Sequence, residues 1–129
     1  MEGKANEMFL DWITSNYFFK DKKYSDLNIY QKGEIGEFLR FPITKYAYIL
    51  EWLDSVYLFI EVYTTWESYN KVKQFSFKII DENDKVLCDK WLSPYFNSRQ
   101  EATEAAIKKA VEIYNSKYGN PQENQEVQI

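Results

Sequence analysis

Apolar residues first recur at helical spacing near the N-terminus, where Ala5, Phe9, Trp12, Ile13 and Tyr17 share one face. The pattern predicts an amphipathic helix from about Asn6 to Tyr17. A polar run, Lys20 to Lys23, follows. Tyr24 to Gly36 carries mixed patterning that fits either a short strand at Leu27 to Tyr30 or a loop, so residues 24–40 stay open on sequence grounds. Pro42 then breaks the chain, and Thr44 stands as an N-cap for a second helix, Lys45 to Asp54. That helix carries Tyr46, Ile49, Leu50 and Leu53 on one face, with Ile43 and Tyr48 placed as a hydrophobic staple.

From Val56 to Tyr63 the period changes to two, with Leu58, Ile60 and Val62 on one side and Tyr57, Phe59, Glu61 and Tyr63 on the other. Both faces of this strand are expected to be at least partly covered. Trp66 to Asn70 is polar enough to turn the chain. A second strand follows, Phe75, Phe77 and Ile79 alternating with Gln74, Ser76 and Lys78, so that one face meets water. The turn formers Asp81, Glu82, Asn83 and Asp84 lead to a third strand, Lys85 to Trp91. In the last helix Ser98 and Glu101 have capping-box spacing, Gly119 stands at the C′ position and Pro121 follows. Its stripe of Ala102, Ala106, Ala110 and Ile113 adjoins Ile107, Val111, Tyr114 and Tyr118, a wide face suited to lying across a sheet. The expected fold class is therefore α+β, a three-stranded antiparallel meander with flanking helices. It is expected as a single domain over 1–119 with a polar tail over 120–129, since no internal repeat or low-complexity linker marks a boundary.

Composition adds one unusual number to this pattern. Nine phenylalanines, eleven tyrosines and four tryptophans are more than a core of 129 residues can enclose. Tyrosine favours sheets and interfaces alike, so the excess fits either tyrosines coating strand surfaces or an exposed binding face. The net charge of −4 gives no general attraction toward phosphate backbones or anionic lipid, so nucleic-acid binding would need a local basic patch. The apolar stretches, such as Val56 to Ile60, fall far short of the roughly 20 residues a membrane-spanning helix needs. A single cysteine allows no internal disulfide, and Met1 to Asn6 show no secretory pattern, so a cytoplasmic location is expected.

The candidate chemistry is thin. The chain has no histidine, which removes the Ser-His and Cys-His nucleophile pairs and the usual zinc and iron ligand sets. Cys88, between Leu87 and Asp89, has no basic neighbour to lower its pKa and reads as a packed thiol. Glu61 is the best carboxylate candidate for glycosidase-like chemistry, since the aromatic residues around it would desolvate it. The alternative for Glu61 is a strand-face carboxylate paired with a cross-strand lysine such as Lys78. Asp81, Asn83 and Asp84 resemble the start of a calcium loop, but Lys85 occupies the next ligand position and no terminal glutamate follows, so no metal site is inferred. Gly33, Gly36 and Lys32 lack phosphate-loop spacing, and no cofactor is inferred. The alternating Tyr57, Phe59, Tyr63, Trp66 and Tyr69 could stack on bases or sugars or anchor a protein interface, unless helices cover that face.

From Ile43 to Lys117 the chain resembles a group of small uncharacterised proteins of Bacteroidetes gut bacteria and their phages. The resemblance rests on Ile43-Thr44-Lys45-Tyr46-Ala47-Tyr48-Ile49-Leu50-Glu51-Trp52-Leu53 running into Leu58-Phe59-Ile60-Glu61-Val62. It continues in the meander, in Ser98-Arg99-Gln100-Glu101-Ala102, and in Ala105-Ala106 with Lys108-Lys109-Ala110. These motifs are structural; they imply an origin and a fold and carry over no residue role. The order helix, three strands, helix also resembles the double-stranded-RNA-binding domain, which places a lysine cluster at the start of its last helix. Here that turn reads Ser98-Arg99-Gln100-Glu101-Ala102-Thr103-Glu104, one arginine against two carboxylates.

The expectation is a non-enzymatic interaction module of phage or mobile-element type. It would bind a protein partner through tyrosine-rich surface centred on Trp66, Tyr69, Tyr24, Tyr30 and Tyr95, without a membrane. A nucleic-acid-binding module is the alternative, and a carboxylate enzyme around Glu61 the third.

Overall fold

Capping and periodicity place most of the elements. The computed structural model describes residues 1–65, 73–90 and 95–119. Over these residues the protein is α+β, with four α-helices and a three-stranded antiparallel sheet. Helix α1 (Gly3–Ile13) runs into a π turn, Thr14–Phe18, closed by the Phe19 N–H donating to the Thr14 carbonyl at 2.7 Å. A 3₁₀ turn, Tyr24–Asp26, precedes α2 (Ile29–Phe38) and α3 (Pro42–Ser55). Strands β1 (Phe59–Thr64), β2 (Phe75–Ile80) and β3 (Val86–Asp89) follow, and α4 (Arg99–Tyr118) comes last.

Helix α2 lies where the sequence pattern left strand or loop open. It is held by a reciprocal capping box: the Gln31 N–H donates to the Asn28 side chain at 2.9 Å, and the Asn28 N–H donates to the Gln31 side chain at 3.0 Å. Gly33 and Gly36, which weaken a helix by about 1 kcal/mol each relative to alanine, mask its periodicity. Helix α3 starts earlier than expected. Pro42 opens it as the first helical residue instead of standing before it, because the proline's missing N–H is one the first turn leaves unbonded anyway. Ile43 is therefore 76% exposed and forms no staple, while Tyr48 packs against Tyr17 and Phe38 instead.

The end of α3 sets the start of β1. The Leu58 N–H donates to the Leu53 carbonyl at 3.0 Å and the Tyr57 N–H to the Asp54 carbonyl at 3.2 Å, the paired bonds of a Schellman motif. Its left-handed position is Tyr57, with φ 64°. Val56 to Leu58 thus belong to the helix cap, and pairing begins at Phe59.

The described chain packs as two compact units. The first comprises residues 1–52 with the part of α4 from Val111, and buries Ala5, Phe9, Ile13, Ile35, Ile49 and Trp52. Its closure depends on Asn115 of α4, whose Oδ1 accepts the Ala5 N–H at 2.7 Å and whose Nδ2 donates to the Glu2 carbonyl at 3.0 Å. The second unit, Leu53–Ala110, holds the sheet in the order β1-β2-β3. Phe77, Ile79, Ala102, Ala106 and Ala110 are buried there. Ser76 is buried too, on the β2 face expected to meet water, and its hydroxyl is satisfied there by donating to the carbonyl of Lys90, just past the end of β3. The β2–β3 register shifts between Ile79 and Ile80, a bulge that bends this edge strand. In α4, the Glu101 N–H donates to Ser98 Oγ at 3.1 Å and the Glu101 carboxylate accepts the Asn97 N–H at 3.2 Å. Among the described residues no helix is long and apolar enough to cross a membrane.

Candidate interaction surface

The aromatic residues of the first unit divide into a packed set and an exposed set. Nine rings form an unbroken run of contacts. Phe18 meets Phe38 at 5.2 Å between centroids, Phe38 meets Tyr48 at 5.3 Å, and Tyr48 meets Tyr17 at 4.9 Å. From Tyr17 the run passes through Trp12, Phe9 and Trp52 to Tyr114 and Tyr118. Most of these pairs are edge-on or tilted, the arrangement the ring quadrupole favours. A large share of the aromatic excess is thus structural.

Around the π turn this run reaches the surface. The Tyr17 hydroxyl donates to the Glu51 carboxylate, and that bond, with the nearby negative charge, pushes the Tyr17 phenol up to about 12. Ser15, Asn16, Tyr17, Phe18 and Lys20 line an open cleft of about 430 Å³ beside it.

Beyond the packed rings, α2 and the start of α3 leave large apolar side chains in solvent. Tyr30 is 85% exposed, Ile29 79%, and Phe41 58%. Phe38 is partly exposed as well. At 100° per residue, Ile29, Tyr30, Gly33 and Gly36 fall within about 120° of one another on α2, away from buried Ile35. A Cβ added at Gly33 or Gly36 would meet nothing within 4 Å, so that side is open. At the α2–α3 corner the Arg40 guanidinium lies over the Phe41 ring, 4.7 Å from its centroid, and pairs with Glu37 at 3.1 Å.

The residues singled out from the sequence fall in different places. Tyr30 is on the open side of α2. Tyr24 is half-buried; its N–H donates to Asp11 Oδ1 at 2.9 Å, and Lys32 Nζ lies 5.2 Å from its ring centroid, so it fastens the segment before α2 to α1. Tyr24 and Tyr30 thus both flank the beginning of α2. Tyr95, in the second unit, is 41% exposed and lies near Tyr63. Trp66 and Tyr69 lie outside the described residues. Ile29, Phe41 and Ile43 were not singled out, since their exposure follows from α2 and from the early start of α3. The Asn28–Gln31 spacing was the feature that could have found them.

The second unit answers the question about Glu61. Glu61 and Lys78 are direct cross-strand partners, 3.4 Å apart, and the Glu61 side chain is 56% exposed. This is the strand-face ion pair. Nearby, burial, with a hydrogen bond donated to Asp89 at 2.8 Å, pushes the Tyr63 phenol up to about 12. Cys88 is half-buried opposite Ile79. Among the described residues no three His, Cys, Asp or Glu side chains converge as a metal site would require. Comparison with protein-family models, with curated proteins and with solved structures finds no match.

Proposed function

We propose that the protein is a non-enzymatic interaction module that binds a protein partner through the open side of α2 and the α2–α3 corner. The observation that carries this reading is the exposure of Ile29, Tyr30, Phe41 and Ile43 within fifteen consecutive residues, although the same unit packs nine other rings against one another. Large apolar side chains left in solvent close together along one segment are where soluble proteins meet partners, and tyrosine, phenylalanine and arginine are the anchors such contacts favour. Of these residues only Tyr30 belongs to the tyrosine-rich surface expected from the sequence; Ile29, Phe41 and Ile43 are additions to it. The likeness from Ile43 to Lys117 supports an origin in Bacteroidetes or their phages.

A lysate of a Bacteroidetes host, treated with nuclease and passed over the tagged chain, tests this reading. A protein retained by the native chain and released when Tyr30 and Phe41 are both replaced by alanine, at an unchanged melting temperature, supports it. Equal retention by both chains removes the surface from consideration. A nucleic-acid partner finds less support, since the one arginine in the first turn of α4 lies over the Phe75 ring, 5.1 Å from its centroid, beside exposed Glu101.

A further inference from the structure

We infer that two copies of the chain join their sheets edge to edge, β1 of one pairing antiparallel with β1 of the other about a two-fold axis through Val62. The inference concerns the Leu53–Ala110 unit and is independent of the α2–α3 surface. Among the described residues β1 is an outer strand, bonded to β2 alone. The Thr65 N–H donates to the Gln74 carbonyl at 2.8 Å in the register of the two strands, which fixes the phase of the ladder. Phe59, Glu61 and Tyr63 therefore bond to β2, while Ile60, Val62 and Thr64 turn their N–H and carbonyl groups to the outer edge. Of these outward groups only the Val62 carbonyl meets a described partner, Arg99 Nη1 at 3.5 Å, too long for a strong bond.

The other outer strand is protected, and β1 is not. β3 has four residues, a bulge and a lysine on either side, Lys85 and Lys90, all devices that discourage edge pairing. β1 runs six residues in unbroken register with β2, contains no lysine or proline, and is rich in β-branched and aromatic residues. A row of unpaired backbone groups on such a strand is a template for another strand. β1 itself carries the match, which favours a second copy over an unrelated extended peptide. With Val62 opposite Val62, Ile60 falls opposite Thr64 and Glu61 opposite Tyr63. Every outward N–H and carbonyl of β1 then gains a partner, and no charge faces its like. The alternative of equal overlap sets Glu61 against Glu61 and opposes two carboxylates. The pairing is closed, because it leaves only the two protected β3 edges outermost.

Sedimentation equilibrium of the full chain over a range of concentrations is the test. The native chain should form a dimer, and Val62→Pro should lose it while staying folded by circular dichroism, because the N–H it removes points away from β2. Tyr30→Ala/Phe41→Ala should leave the dimer intact. A native chain that is monomeric at every concentration overturns the inference, including one that instead captures an extended peptide at this edge. So does a dimer that survives in folded Val62→Pro or dissolves with the Tyr30 and Phe41 changes. Cysteine cross-linking in a Cys88→Ser background reads the register without disturbing the ladder. Directly opposed Cα atoms in a hydrogen-bonded pair lie about 5.5 Å apart, within disulfide reach. Val62→Cys should therefore link two chains when treated with oxidised glutathione. Glu61→Cys, whose counterpart lies two residues along the facing strand, should not. Linking through Glu61→Cys, or through neither, overturns the pairing.

Discussion

Asn115, near the end of α4, caps α1 by accepting the Ala5 N–H, 110 residues earlier in the chain, at 2.7 Å. The residue preceding α1, Glu2, makes no side-chain cap of its own, so the helix borrows its cap from another element. The approach is close: Gly3 has φ 69°, and a Cβ there would lie 2.9 Å from Asn115 Nδ2.

Replacing Asn115 by alanine is therefore expected to cost about 1–2 kcal/mol, since it removes both the cap and the donor to the Glu2 carbonyl. Urea unfolding measures the loss. Asn115→Asp should recover part of it, because the carboxylate keeps the acceptor and favours the helix N-terminus.

Gly33→Ala and Gly36→Ala should each stabilise the protein by about 0.5–1 kcal/mol, because both sites are helical, open and free of steric conflict. A shift of the denaturation midpoint at constant slope checks this. Reduced stability in either variant would show that the backbone there needs glycine.

Tyr57→Gly is expected to raise stability by about 0.5–1 kcal/mol. The left-handed backbone at φ 64° penalises a side chain, and the half-exposed ring gives up only an edge contact with Phe59 at 6.4 Å. Thermal melting of the variant beside the native chain is the measurement.

Stability should fall in alkali. The Tyr17 and Tyr63 phenols titrate near 12 in the folded chain and near 10 when unfolded. Between these values the unfolded state has released protons that the folded state still holds, so rising pH favours unfolding. The stabilisation is complete below pH 10 and is lost as pH climbs toward 12. Tyr17→Phe should make this decline shallower, read from unfolding curves taken across that range.

Much of the fold was legible because local physics repeats along the chain. The alternation Phe75, Phe77, Ile79, the cross-strand meeting of Glu61 with Lys78 and the Ser98 cap of α4 each follow from spacing and turn chemistry within a few residues. The period of two and the capping spacing act locally, and the sequence alone determined the meander and the last helix, while for Glu61 it offered the pairing with Lys78 as one of two alternatives.

Tertiary structure decided the rest. Whether an aromatic ring is core or surface depends on what lies opposite it, and no spacing tells Tyr48, packed between Tyr17 and Phe38, from Tyr30, 85% exposed. Helix α2, with two glycines in ten residues, has little propensity of its own; burial of Ile35 and Leu39 holds it, and that burial exists only once the unit has assembled. The cap that Asn115 gives to α1 joins residues distant in the chain for the same reason: long-range contacts are settled by packing, which a local pattern does not encode.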